Sequence, residues 1–339
     1  MSARGADFRA QRSSQRSHEI HGWLKHIGKL GFPLQILLKS YQCFVVWCDV
    51  MTLIIRSYFA ILQTILCFFI PVSRKSLKTE VAVVVGSSRG VGREIAYKLS
   101  SLRATVVCID IQDPDDETVS KTIRAEGANA YYFQCDISIR DQVDITVSRI
   151  EKEIGGISML YHCCSLPSPR CVSTNPPSVK ATLDVSVTSY FYLLDAILPH
   201  MKTNNKGHIV FLTSVAAISG FTQQLALSVS QFAIQGLYES IVEELRISRC
   251  DQIIKTTLVH IYPFIVSENF SNDIRFRVPG FFGSIRADIA AEKIIDGVRM
   301  NASEISIPSY CLYISHVLKI LPRKVTLMLR EFLDTGVDF

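Results

Sequence analysis

The sequence predicts an α/β fold, a doubly wound parallel sheet, with a hydrophobic membrane segment ahead of it. Three observations lead to this prediction. From Thr79 onward, short apolar runs alternate with amphipathic helical stretches. A glycine-spaced loop follows the first of these runs, and residues 34–70 are strongly apolar between Pro33 and Pro71. Strands that alternate with helices are typical of a parallel sheet covered by helices on both faces.

Composition and charge limit the classes of function. The 339-residue chain is 48% hydrophobic, which allows one large core plus attachments. Its net charge of +5 has no dominant basic block, so we expect no nucleic-acid partner. The 10 cysteines lack zinc-site or CxxC spacing. We interpret most of them as buried thiols in a reducing compartment and expect no metal.

The first element is a basic tail, residues 1–33, followed by a hydrophobic membrane anchor or hairpin at 34–72. The tail contains no apolar run, so it predicts no cleavable signal peptide and a main domain that faces the cytosol. The apolar stretch is longer than one ordinary span of ~20 residues. Asp49 and Arg56 lie near its middle, seven apart and so on one helical face, where burial in lipid is unfavourable unless they pair or reach water.

Two membrane arrangements fit this stretch. One is a hairpin of two half-depth helices within one leaflet, and the other is a single span over about 51–70 with Arg56 reaching towards the interface. Basic residues lie on both sides of the stretch, which mildly favours the hairpin because it keeps both ends cytosolic.

The next elements are six predicted parallel strands with helices between them. The apolar run VAVVVG reads as a buried strand, and GVGREIAYKLSSL as the helix packed against it. The predicted strands cover 81–86, 104–110, 128–136, 158–164, 207–214 and 255–262.

The loop VGSSRGVG joins the first strand to its helix and predicts a Rossmann-type dinucleotide site. Gly86, Gly90 and Gly92 allow a tight turn and a close approach of backbone to ligand. The helix N-terminus that follows supplies amide donors for a pyrophosphate. Ser88 and Arg89 lie in the same loop and are predicted to contact the cofactor.

Two residues give opposite indications about the cofactor. Asp110, at the end of the second strand, suits both ribose hydroxyls of NAD and repels a 2′-phosphate. Arg89 suits the 2′-phosphate of NADP. We give Asp110 more weight, because its carboxylate must be neutralised before a phosphate can bind beside it. The sequence therefore predicts NAD in preference to NADP.

These features together resemble the short-chain dehydrogenase/reductase family over about residues 76–308. The glycine loop, Asp110, the CDIS segment at 135–138 and a strand ending in Ser214 carry the resemblance. The passage FFIPVSRKSLKTEVAVVVG more narrowly resembles the membrane-linked retinol and 17-beta-hydroxysteroid dehydrogenase branch. That branch acts on retinoids, steroids or other lipid alcohols at the endoplasmic reticulum or lipid droplets.

The resemblance implies roles for three further residues. Asp136 matches the acid that contacts the adenine, and Pro263 matches a proline near the nicotinamide. Ser214 matches the serine that hydrogen-bonds the substrate oxygen. The family also commonly forms dimers through its fourth and fifth helices, which implies a homodimer here.

The rest of the catalytic site departs from the family. Leu227 stands where the family has its tyrosine, and Gln231 where it has its lysine. Ser186 stands where it has an asparagine that holds a proton-relay water. Its Asn-Asn-Ala-Gly turn after the fourth strand is here Tyr-His-Cys-Cys, at 161–164. Ser214 is the only retained member, and none of the 12 tyrosines has a lysine four residues later, so the pair is not simply displaced.

The sequence therefore supports a membrane- or lipid-droplet-associated member with impaired catalysis that binds NAD(H) or a lipid. An active NAD(P)-dependent oxidoreductase on a retinoid, steroid or other lipid alcohol is one alternative, with His162 considered as a substitute proton carrier. A non-enzymatic lipid-surface scaffold is another. The last segment, 309–339, is predicted to be an amphipathic extension that either lies on the membrane or packs on the fold.

Overall fold

The computed structural model describes residues 32–69, 73–111, 113–164, 178–214, 217, 225–261 and 285–333. It divides into two compact units, Met1–Val72 and Ser73–Phe339. The basic tail up to residue 31 and Pro263 lie outside the described residues.

The described part of the first unit is one helix, α1, at Phe32–Phe69 (38 residues). No proline or glycine occurs between residues 34 and 70 to interrupt it, and Pro33 lies in the first turn, where its missing N–H is tolerated. The break that a hairpin needs is therefore not present within this described helix. A helix of this length rises about 57 Å, more than the ~30 Å hydrocarbon core.

The second unit is built on a seven-stranded parallel sheet in the order β3-β2-β1-β4-β5-β6-β7. This confirms the predicted doubly wound, Rossmann-type sheet. The strands are β1 Val81–Val85, β2 Thr105–Asp110, β3 Ala130–Gln134, β4 Met159–His162, β5 Gly207–Ser214, β6 Ile254–Ile261 and β7 Glu304–Ile307.

Helices connect the strands and cover both faces of the sheet. They are α2 Gly90–Ser101, α3 Asp113–Ala125, α4 Arg140–Glu153, α5 Val179–Leu183, a π-helical segment Asp184–Thr188, α6 Ser189–Thr203, α7 Leu225–Ile247, α8 Ala287–Arg299, α9 Tyr310–Ile320 and α10 Arg323–Leu333.

The core lies on both faces of the sheet, because the side chains of a strand point alternately to opposite faces. Val83, Ile109 and Phe211 pack with α4, α6 and α7 on one face. Val84 and Tyr161 pack with α2, α3 and α8 on the other. Strand order reverses between β1 and β4, and such a switch point opens a ligand crevice at the carboxyl ends of the strands.

The opposite, amino-terminal edge of the sheet holds the start of the domain. Lys75 Nζ donates to His208 Nδ1 at 2.6 Å, and His208 Nε2 lies 2.8 Å from Thr257 Oγ1. Thr257 in turn donates to the Ala302 carbonyl (2.6 Å). Burial lowers the pKa of His208 to about 3 and that of Lys75 to about 8. The start of the second unit is therefore anchored to β5 through a buried, uncharged histidine.

Within the part of the chain that the structure describes, two helical stretches have the length and hydropathy to cross a membrane. Lys39–Gln63 has exposed side chains, whereas Val179–Thr203 contains buried residues and packs against the sheet as α5 to α6. At the other end of the chain, α9 packs with β7 through Cys311, which is buried, while Leu327 and Met328 of α10 are exposed. The amphipathic extension is thus two helices, separated at Pro322.

Candidate functional site

The loop after β1 adopts the close turn that its glycines predict. Gly86 has φ +79° and Gly90 has φ +60°, values that side chains other than glycine rarely adopt. A Cβ at Gly92 would lie 2.0 Å from the Gly86 carbonyl oxygen, so the first turn of α2 can pack on the loop only with glycine there. The loop therefore brings the N-terminus of α2 to the carboxyl edge of the sheet.

Asp110 closes β2 beside this loop and is already hydrogen-bonded. Its Oδ2 accepts from the Ser88 hydroxyl (2.8 Å) and backbone N–H (3.3 Å), and its Oδ1 accepts from the Ile111 N–H (2.7 Å). A carboxylate has about four acceptor positions, so capacity for a ribose hydroxyl remains. Arg89 precedes α2, is exposed and makes no side-chain capping bond to that helix.

Asp136 lies just beyond β3 and is fixed by a local turn. Its Oδ1 accepts from the Ser138 N–H (2.9 Å) and hydroxyl (2.7 Å), and its own N–H donates to Gln142 Oε1 (2.9 Å). Within the described residues, Oδ2 accepts no hydrogen bond and keeps its lone pairs for a ligand.

The three predicted cofactor groups line one cavity of about 200 Å³. Its lining includes Gly86 and Arg89 of the glycine loop, Asp110 with Ile111, and Asp136 with Ile137, whereas Ser88, Gly90 and Gly92 are not among the lining residues. Its remaining walls are Val85, Cys135, Cys163, Cys164 and Val185. The structure thus brings together the predicted residues of the adenosine and diphosphate end of a dinucleotide site.

The residues after β4 fill space where the family has small ones. His162 is buried, stacks on Tyr190 at 3.9 Å, and its Nε2 lies 2.7 Å from Ser189 Oγ. Ser189 donates its own proton to the Val185 carbonyl (2.6 Å), so His162 Nε2 carries the hydrogen of that pair. Burial lowers the pKa of His162 to about 3. The ring is therefore neutral and belongs to the core.

The two cysteines that follow lie against the glycine loop. A Cβ at Gly86 would lie 2.6 Å from Cys164 Sγ, and one at Gly92 would lie 3.1 Å from the Cys163 Cβ. Burial raises the pKa of Cys163 to about 12, so this thiol stays protonated. The pair occupies the volume next to the glycines instead of leaving it to a ligand.

Ser186 lies in the π-helical segment between α5 and α6 and is fully buried. Its hydroxyl has no hydrogen-bond partner among the described residues. Single π-turns inside helices occur often at functional sites. The π-turn is present here, but the hydroxyl of Ser186 at its centre forms no hydrogen bond with any described residue.

Ser214 at the end of β5 and Gln231 on α7 are joined by a hydrogen bond. Gln231 is 2% exposed, and its Oε1 accepts from the Ser214 N–H at 2.8 Å and from Thr213 Oγ1 at 3.1 Å. Its Nε2 donates to Ser230 Oγ at 3.3 Å. The polar end of Gln231 is thus used to join the helix to the serine-bearing strand, while Leu227, partly buried, offers no polar group.

The inward direction of the Gln231 side chain was not predicted from the sequence. Nor did the sequence show that Ser88 would bond to Asp110. Hydroxyl residues at 213 and 214 with a glutamine at 231 are compatible with many contacts, and so is a serine near Asp110. The sequence therefore gives no distinctive signal for the bonds of Gln231 or for the Ser88–Asp110 bond.

A family model described as short chain dehydrogenase matches residues 80–269. The chain belongs to the short chain dehydrogenase family. Its relatives include 17-beta-hydroxysteroid dehydrogenase 13 of Homo sapiens, 26% identical over 84% of this chain and 93% of that protein. Epidermal retinol dehydrogenase 2 of Mus musculus is 26% identical over 82% of this chain and 90% of that protein. The predicted family and its retinol and steroid branch are confirmed.

Solved structures agree with this assignment. A metagenomic short-chain oxidoreductase in complex with NADP superposes with a TM-score of 0.54 at 26% identity, over 68% of this chain and 98% of that one. A gluconate 5-dehydrogenase from Burkholderia cenocepacia J2315, in complex with NADP and tartrate, has a TM-score of 0.57 at 19% identity, over 68% and 94% of the two chains, and shares the fold. This short chain dehydrogenase fold supports binding of a nicotinamide dinucleotide.

Proposed function

We propose that this short chain dehydrogenase is a membrane-attached nucleotide-binding protein whose dehydrogenase chemistry is impaired. One observation carries the proposal. Leu227 and Gln231 stand where the family has its tyrosine and lysine, and the amide of Gln231 is bonded to the Ser214 N–H and Thr213 instead of facing a ligand.

The chemical loss follows from what these groups do. A tyrosine hydroxyl transfers the alcohol proton as hydride moves, and a lysine ammonium lowers the pKa of that tyrosine. Leucine has no exchangeable proton, and glutamine has no charge. General acid-base catalysis typically contributes ~10²–10⁴ in rate, so an uncatalysed proton step slows turnover by about that factor.

No other described group supplies the proton. His162 is neutral and buried, and it pairs with Phe211 across the sheet, three residues short of Ser214 on β5. Three residues of strand correspond to about 10 Å, beyond the reach of a hydrogen bond. Ser228, next to Leu227, is a hydroxyl whose pKa is too high without a base.

For the cofactor we propose NAD(H). Asp110, with Ile111 and Ser88 holding its carboxylate in place, presents a negative charge at the ribose end of the cavity. A 2′-phosphate placed there would be repelled, and Arg89 would have to neutralise it.

For the location we propose the endoplasmic reticulum membrane or lipid droplets, with residues 76–308 facing the cytosol and 34–72 as the anchor. The exposed apolar side chains of α1 support this, as do Ser40 and Thr52, whose hydroxyls donate to helix carbonyls four residues back (2.9 and 2.8 Å). Polar groups in lipid must be satisfied internally. Resistance of membrane-bound chain to alkaline carbonate extraction, lost when 34–72 is deleted, tests this attachment.

For the partners we propose a lipid ligand of the retinoid or steroid class and a second copy of the chain. The named relatives support the ligand class. Val229 and Phe232 are 57% and 46% exposed on α7, the helix that follows β5 and so corresponds to the family's fifth helix, and this apolar surface supports pairing through it.

The test restores the missing groups in the full chain. We expect Ser186→Asn, Leu227→Tyr and Gln231→Lys together to raise NAD-dependent oxidation of retinol or a steroid by a factor of about 10² or more over the natural chain. The matched control carries Ser186→Asn alone and stays inactive. Equal activity in the natural chain and the restored variant would contradict the proposed impairment.

A further inference from the structure

The adenosine end of the nucleotide site is complete. Asp110 and Asp136 present carboxylate oxygens, and Ile111 and Ile137 provide apolar contacts, around one cavity. Both carboxylates are oriented by hydrogen bonds from neighbouring N–H and hydroxyl groups. Such fixed acceptors suit ribose hydroxyls and the amino group of adenine.

The diphosphate end is also complete. The loop at Gly86 keeps the turn that glycine requires, and α2 begins at Gly90 with its free amides at the cavity edge. Ser87 lies in this loop, fully buried, and its hydroxyl has no hydrogen-bond partner among the described residues. An unsatisfied buried hydroxyl is unfavourable unless a ligand or water bonds to it.

The nicotinamide end does not fit its ligand in the same way. Among the described residues, the walls of the cavity on this side are Cys163, Cys164 and Val185. Gln231, at the position whose lysine holds the nicotinamide ribose in the family, has both polar atoms of its side chain bonded to protein groups. Leu227 offers that ribose no hydroxyl.

The size of the cavity agrees with this difference. At about 200 Å³ it is smaller than the ~300–1,000 Å³ typical of small-molecule sites. The described cavity therefore has room for part of a dinucleotide. Because Asp110 and Asp136 line it, that part is the adenosine and diphosphate end.

We propose that this site recognises the ADP-ribose portion of a nucleotide and that the nicotinamide ring and its ribose contacts add no affinity. The ligand class is thus an adenosine diphosphate with a 5′ extension, of which NAD(H) is one member and ADP-ribose another. The proposal rests on the proposed nucleotide-binding function and specifies which half of the ligand is bound.

Titration calorimetry of the full chain in detergent tests this with three probes: NADH, ADP-ribose and reduced nicotinamide mononucleotide. We expect NADH and ADP-ribose to have dissociation constants within about threefold of each other, and the mononucleotide not to bind. NADH that binds about tenfold more tightly than ADP-ribose, the effect of one charge-assisted hydrogen bond, overturns the inference and leaves the proposed function in place. Failure of all three probes to bind overturns both.

Two variants locate the binding. Asp136→Ala is expected to weaken NADH and ADP-ribose equally, by about tenfold. Asp141→Ala, the same change at an exposed aspartate of α4 outside the cavity, should weaken neither. The double variant Leu227→Tyr with Gln231→Lys is expected to make NADH bind about tenfold more tightly than ADP-ribose, with ADP-ribose unchanged. An unchanged ratio in the double variant contradicts the assignment.

Discussion

Replacing Gln231 with leucine removes three buried hydrogen bonds while keeping a side chain of similar size. The Ser214 N–H loses its 2.8 Å acceptor, and Ser230 Oγ loses its 3.3 Å donor. Thr213 Oγ1 loses the amide at 3.1 Å but keeps the Gln231 backbone carbonyl at 3.4 Å. The change therefore acts mainly on the strand end that carries Ser214.

The size of the effect follows from the burial of this site. Gln231 is 2% exposed, so water does not replace the lost amide. Loss of a buried hydrogen bond lowers the free energy of unfolding by about 1 kcal/mol, and burying the donor without a partner lowers it by about 1–3 kcal/mol more. We expect Gln231→Leu to lower the free energy of unfolding by roughly 2–3 kcal/mol, or the melting temperature by roughly 4–10 °C at this domain size.

Circular dichroism of the full chain in detergent measures this melting temperature. Glu239→Ala, an exposed change on the same helix α7, is the control and should stay within about 1 °C of the natural chain. If Gln231→Leu also stays within about 1 °C, Gln231 does not hold the serine strand, and its amide is available to a ligand after all.

Three further outcomes are expected. Ser186→Ala should leave the melting temperature unchanged or raise it, because it removes a buried hydroxyl with no partner among the described residues, and a fall of more than about 3 °C would contradict this. His162 and His208 are buried with pKa values of about 3, below the ~6.5 of the unfolded chain, so the unfolded state takes up their protons first. The melting temperature should therefore fall as pH drops from about 6.5 towards 3, and the fall should be smaller in His208→Gln. Phe232→Glu should convert a dimer to a monomer in light scattering without changing the melting temperature, and an unchanged mass would refute pairing through α7.

Much of the sheet could be predicted because buried parallel strands are short and apolar on both faces. The six predicted strands are present, with ends shifted by a few residues at most. Strand β7, Glu304–Ile307, was missed, since four residues with a charge at one end carry little pattern. The hairpin preference is not tested by the continuous helix α1 and stays a prediction. It depended on flanking charges, whereas helix continuity depends on the backbone, which lacks glycine and proline there.

That Gly86, Asp110 and Asp136 lie around one cavity could be predicted, because each lies at or just after the end of a strand. Strands of one parallel sheet end at one edge. The direction of the Gln231 side chain was not predictable. It depends on the distance between β5 and α7 and on the Ser214 N–H, which needs an acceptor. A lysine ammonium group only donates, so a lysine at this position could not accept from that N–H.

The most direct test of impaired catalysis is NAD-dependent oxidation of retinol and of a steroid by the full chain in liposomes, beside Ser214→Ala. Without an acid-base pair, Ser214 has no proton relay to serve. The account predicts that the two proteins turn over at the same background rate. A natural chain that oxidises either alcohol about tenfold or more faster than Ser214→Ala would show a working catalytic site and contradict the account.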